Sequence, residues 1–111
     1  MEINFRTRRL ERIFNSEKEL SKTFGAENGR IIMRRMSVLS AAPTLAEIPA
    51  RKPERRHELS GNRKGQFAVV IKQPFRLTFL PNHNPVPKKE DGGVDLSKVT
   101  AITILKVEDY H

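Results

Sequence analysis

The sequence predicts a small α+β domain, with two N-terminal helices packed on a small antiparallel-rich β-sheet. Three observations lead there. Apolar residues recur at helical spacing through the first half of the chain. The period then changes to two, after the charged, proline-containing connector Arg51 to Arg56. And 111 residues suffice for a single modest core. One domain over 1–111 is therefore expected, with a helical half at about 6–48, a sheet half at about 55–111 and an inserted loop at about 81–100. No internal repeat is visible.

Met1 to Phe5 alternates weakly, with Ile3 and Phe5 on one side, and reads as a short first strand. Leu10, Ile13 and Phe14 then lie at helical spacing, with Arg8, Arg9, Glu11 and Arg12 facing elsewhere. Ser16-x-x-Glu19 has the form of a capping box and marks a break before another turn of helix through Leu20 and Phe24. Gly25 is the expected stop. A longer helix from Ala26 to about Ala42 presents Ile32, Met36 and Leu39 on one stripe. Gly29 inside it costs about 1 kcal/mol relative to alanine. Pro43 ends the helix, and Thr44-x-x-Glu47 reads as a capped single turn before Pro49.

In the second half, His57 to Leu59 reads as a brief strand closed by the turn Ser60-Gly61-Asn62. Gln66 to Lys72 places Phe67, Val69 and Ile71 on one face, and Phe75, Leu77 and Phe79 do the same in the next strand. The short Gln73-Pro74 link makes these two antiparallel neighbours. Pro81 to Lys89 holds three prolines and is followed by Gly92-Gly93. It reads as an exposed loop longer than a compact domain ordinarily carries. Ala101 to Val107 is apolar on both faces, as an interior strand should be.

Composition narrows the function classes. The longest uninterrupted apolar run, Phe67 to Ile71, cannot span a bilayer, and Met1 to Phe14 is too rich in Arg and Glu for a signal peptide. There is no cysteine, hence no disulfide or thiolate chemistry. A cytoplasmic protein without membrane partners is expected. A net charge of +8 and 31% charged residues favour an anionic, phosphate-rich partner. The excess is spread along the chain: residues 1–60 hold 13 Lys/Arg against 8 Asp/Glu, and residues 61–111 hold 8 against 5.

Cleaving RNA asks little of a protein: a base for the ribose 2′-hydroxyl, an acid for the leaving 5′-oxygen, and a cation for the phosphorane. Histidine suits the first two tasks and arginine the third. His57, Arg76 and His111 are of the right types. Arg76 projects from mid-strand on the face opposite three apolar residues, although a plain surface salt bridge would explain it equally well. Asp109, Tyr110 and His111 follow a strand and so extend from a rigid element. Around His57, Arg55 and Arg56 are cationic, and the turn Ser60 to Gly65 carries Arg63 and Lys64, which could grip a backbone phosphate. His83 lies in the proline-rich loop and reads as an ordinary surface residue. Three histidines 26 and 28 positions apart, without cysteine or an HExxH helix, show no metal-ligand spacing. No cofactor cradle is present in the sequence.

Three blocks together resemble a known family. The order His57-Glu-Leu-Ser-Gly-Asn-Arg-Lys-Gly-Gln-Phe67, then Phe75-Arg-Leu-Thr-Phe79, then Glu108-Asp-Tyr-His111 resembles the HigB "killer protein" branch of the RelE/ParE toxin superfamily. That branch shares an H-x-L-x-G-x-x-x-G segment, an R-[IL]-x-F strand and an EDYH or DYH end. The matched blocks cover 57–79 and 101–111, with a looser helical match over 6–42. The resemblance implies a RelE-like fold and the toxin of a type II toxin–antitoxin pair. It implies a ribosome-dependent endoribonuclease that cleaves mRNA in the ribosomal A site without metal or cofactor and so inhibits translation. It also implies neutralisation by a helix-turn-helix, HigA-like antitoxin, through which alone operator DNA would be reached.

Residue by residue, the family's catalytic histidine falls on His57, its strand arginine on Arg76, and its terminal acid, tyrosine and histidine on Asp109, Tyr110 and His111. Two departures stand out. Ser60 occupies a position where relatives often carry lysine, with Arg63 or Lys64 as the expected substitute, and Leu80–Thr100 is inserted where many relatives have a tight turn. Two other functions fit parts of the pattern: a ParE-like toxin that inhibits gyrase by binding, and a noncatalytic RNA- or ribosome-binding protein.

Overall fold

The structure, a computed structural model, describes residues 1–110; His111 lies outside them. Ile3 and Phe5 turn toward the core from β1 (Glu2–Phe5). Three helices follow among the described residues, α1 (Arg8–Phe14), α2 (Glu17–Phe24) and α3 (Ala26–Ala41). This is one more than the two expected, because the first two are separate elements with their own caps. Thr7 Oγ1 accepts the Leu10 N–H at 3.1 Å, and Ser16 Oγ accepts the Glu19 N–H at 3.2 Å. Thr44 heads a single 3₁₀ turn, Leu45–Glu47, but makes no side-chain cap.

Two glycines set the helical hairpin. Gly25 ends α2 and begins α3 with φ +92, a left-handed conformation open to glycine at little cost. Gly29 is where α3 crosses α2: a Cβ there would lie 3.2 Å from the Ser21 backbone nitrogen and 3.3 Å from its Cα. This close approach outweighs the propensity that glycine forfeits inside a helix. The Met1 ammonium donates to the carbonyls of Leu39, Ser40 and Ala42 at the end of α3. Those carbonyls have no intrahelical partners, and the positive charge favours that end of the helix dipole.

The sheet contains β2 (His57–Glu58), β3 (Phe67–Val70), β4 (Phe75–Pro81) and β5 (Ala101–Asp109), in the order β1-β5-β4-β3-β2. β5 is interior, as its two apolar faces require. Its neighbours are antiparallel β4 and parallel β1, so the sheet is mixed and one N-terminal strand belongs to it. The core joins Leu20, Ile32 and Leu39 from the helices to Phe67, Val69, Leu77, Phe79, Ile102 and Ile104 from the strands. Phe67 and Phe79 pair across β3 and β4 with ring centroids 6.3 Å apart.

The 81–100 segment is packed where an exposed loop was expected. Val94 and Val99 are buried, Lys88 bridges Val94, and Leu96–Lys98 forms a 3₁₀ turn capped by Asp95. His83 Nε2 accepts the Thr100 N–H at 3.1 Å, a structural bond within this segment.

Gly29→Val should lower stability by about 2 kcal/mol through overpacking against the rigid Ser21 backbone, read as a reduced urea midpoint with an unchanged slope. An unaltered midpoint would contradict the close α2–α3 crossing.

Candidate functional site

Strand register determines which side chains can meet. His57, Ala68, Thr78 and Lys106 form one row across β2 to β5, and Val70, Arg76 and Glu108 form the next row on the same face. The intervening row, Val69, Leu77 and Val107, points into the core. The sheet face away from the helices thus holds His57, Arg76, Lys106 and Glu108 together. His57 and Arg76 are offset by two strand spacings and by two residues along the strands, roughly 12 Å between backbones, with their side chains on the same face.

At the centre of this face lies Glu108. Arg63 grips its carboxylate with both terminal nitrogens, at 2.9 and 2.6 Å, and Arg76 Nη2 approaches at 3.3 Å. The three side chains are 30%, 16% and 15% exposed for Arg63, Arg76 and Glu108. The Arg63 hydrogen bond leads in holding the Glu108 carboxyl down at about 2, against burial and with help from Arg76. Glu108 is therefore a fixed anion and no proton shuttle near neutrality. Arg63 also reaches Gln66 at 3.1 Å, so the 3₁₀ turn Gly61–Arg63 is tied both to its own strand and to β5. Arg76 stands with its guanidinium carbon 5.2 Å from the Tyr110 ring centroid, within cation–π range. Its Nε is buried and has no hydrogen-bond partner among the described residues.

His57 is exposed at the edge of the sheet, where its Nδ1 lies 2.8 Å from the Arg55 carbonyl. A carbonyl can only accept, so Nδ1 carries the proton and Nε2 of the neutral ring presents a lone pair. Arg55 itself adopts φ +50, a left-handed backbone unusual for a residue with a Cβ and of the kind that persists where surrounding structure imposes it.

The other expected phosphate contacts separate. Arg56 is half-buried and donates from Nε to the Ile48 carbonyl at 2.8 Å, and burial lowers its pKa from the ordinary value. Lys64 faces the 88–94 segment beside Gly92 and Gly93, away from Arg76. Asp109 pairs with Phe75 at the end of β5, so alternation turns it to the face opposite Glu108. Tyr110 is 40% exposed, and its N–H donates to the Pro74 carbonyl at 3.3 Å. His111, the fifth expected catalytic residue, lies outside the described residues. Among the described residues no three His, Asp or Glu side chains are gathered as a metal ion would require, and no helix is long and apolar enough to cross a membrane.

Glu108 escaped the sequence reading as a functional residue. The signal for it was the cross-strand pair Arg76↔Glu108, which becomes visible only once register is known. Arg35 was also missed. It is buried on α3, donates from Nε to the Val70 carbonyl at 2.7 Å, and has its pKa lowered by burial against the opposing charge of Glu54.

Comparison with solved structures returns a YoeB/ParE toxin from Agrobacterium tumefaciens, matched over 100% of both chains with a TM-score of 0.58. The chain has the fold of a YoeB/ParE toxin. Identity is 10%, so the likeness is one of fold. No protein-family model matches the sequence, and no curated protein matches it either.

Glu108→Gln should lower the urea midpoint near neutral pH. The folded pKa lies below the ordinary 4.5, so the stabilisation is complete above that pH and disappears as pH falls toward about 2. Wild type and variant should converge over that window. Parallel pH profiles would contradict the assignment of Glu108 as the anion held by both arginines.

Proposed function

We propose that the protein is the toxin of a type II toxin–antitoxin pair, of the HigB kind, and that it cleaves mRNA on the ribosome. The observation that carries this reading is the sheet face on which a histidine of fixed tautomer and a partly buried arginine share a surface in a toxin fold.

The chemistry runs through the ribose. His57 Nε2 takes the 2′-hydroxyl proton, and the oxygen attacks the adjacent phosphorus. Arg76 stabilises the charge that develops on the phosphorane oxygens through the accessible part of its guanidinium, whose contact with Glu108 is one long bond at 3.3 Å. The 5′-oxygen leaves with a proton, and of the terminal motif His111 is the residue of the right type to give it. The products are a 2′,3′-cyclic phosphate and a 5′-hydroxyl. Tyr110, already against Arg76, stacks on a base. No step requires a metal. In this reading Arg55 and Arg63 supply positive potential along the RNA, Arg63 through the Glu108 cluster. The cognate antitoxin is a helix-turn-helix protein that covers this face.

In a reconstituted translation system, primer extension on a reporter mRNA should show new ends at A-site codons with wild type. His57→Ala and Arg76→Ala should each reduce cleavage by about 10²-fold or more. Arg76→Ala should remain folded, because Arg63 still holds Glu108 through two hydrogen bonds. Deleting Tyr110-His111 should abolish toxicity in cells while the domain stays folded. Undiminished growth arrest by any of these three variants in folded form, or wild-type arrest without any cut mRNA, would overturn the nuclease reading. The second outcome would direct attention to gyrase supercoiling.

A further inference from the structure

Beside the Arg76 site lies a second recess. An open cleft of about 280 Å³ is bounded by Arg35 of α3, Lys52 and Arg55 of the connector, Val70 of β3, Gln73 of the β3–β4 turn, and Tyr110. Its three cations come from two segments, α3 and the connector, and have no carboxylate within ion-pair distance among the described residues. Arg35 is only 9% exposed. Its Nε is spent on the Val70 carbonyl, which fixes the plane of a guanidinium that borders the cleft. Arg55 is held by its left-handed backbone, and its carbonyl anchors His57. Val70 and Ile71 add an apolar lining, and Tyr110 forms part of the wall.

We propose that this cleft is a nucleotide subsite, taking the base and phosphate of a residue that flanks the nucleotide at Arg76. Two features favour a nucleic acid over an acidic protein segment. Positive charge here is interleaved with an aromatic ring and an amide, the combination that reads a stacked base and its phosphate together. The cleft is also continuous with the Arg76 site through one side chain: Tyr110 lines the cleft and lies 5.2 Å from the Arg76 guanidinium. A strand crossing Arg76 would enter the cleft within one nucleotide. Gln73 offers the donor and acceptor that distinguish one base edge from another.

The inference deepens the reading of the chain as an RNA-directed toxin, and it is tested without cleavage. A 2′-O-methyl trinucleotide cannot be cut through the 2′-oxygen. Titrated into the full chain, it should shift the amide resonances of Lys52, Arg55, Gln73 and Tyr110. Lys52→Glu should weaken binding roughly tenfold and lower the salt dependence by about one ion. Gln73→Ala should change the preference among trinucleotides with little change in the salt dependence. Shifts confined to residues around His57 and Arg76, or equal displacement by an acidic peptide, would overturn the subsite. A trinucleotide bound in the cleft by a protein that cuts nothing on ribosomes would uphold the subsite and remove the nuclease.

Discussion

The candidate site is organised around one carboxylate. Glu108 sits at the end of β5 with Arg63 on one side and Arg76 on the other, and removing it would leave two guanidinium groups facing each other in a half-buried place. Such a cluster costs desolvation, which strong hydrogen bonds must offset. Its consequence is geometric. The bidentate Arg63–Glu108 pair draws the turn after β2 toward β5, three strands away in the sheet order. The same pair leaves Arg76 with one long bond to Glu108 at 3.3 Å, so Arg76 is oriented without its guanidinium being consumed by that carboxylate.

Around this centre the fold presents the candidate residues from rigid elements. Register places His57 and Arg76 on one face, and the Arg55 carbonyl selects the imidazole tautomer. Both depend on the short connector 51–56, whose own structure is secured by the Arg56 bond to Ile48 and by Val70 donating to the Glu54 carbonyl. The connector thus anchors His57 on one side and borders the neighbouring cleft on the other. The left-handed backbone of Arg55 lies between the two.

Much of the fold was legible in the sequence because it is local. Ser16 and Gly25 behave as their cap and stop signals indicate, and the alternation of Phe67-Val69 and Phe75-Leu77-Phe79 identified the core faces of β3 and β4. What was not legible is non-local. Nothing in Glu2–Phe5 indicates that it adds to β5 in parallel, a pairing made across about a hundred residues of chain. The proline-rich segment looked exposed, yet two buried valines and a backbone bridge pin it down. At the site, residue type and strand alternation pointed to His57 and Arg76. Glu108 was hidden inside a terminal motif because its role comes from lying opposite Arg76. Asp109 was grouped with its neighbours although strand alternation turns it to the other face.

The most direct test concerns the end groups of ribosome-bound mRNA after exposure to the purified protein. Attack by the 2′-oxygen, with His57 as base and Arg76 as the stabilising cation, leaves 2′,3′-cyclic phosphate and 5′-hydroxyl ends. These ends should appear with wild type and disappear with His57→Ala. Ends bearing 3′-hydroxyl and 5′-phosphate, or intact message under conditions that arrest translation, would contradict this account.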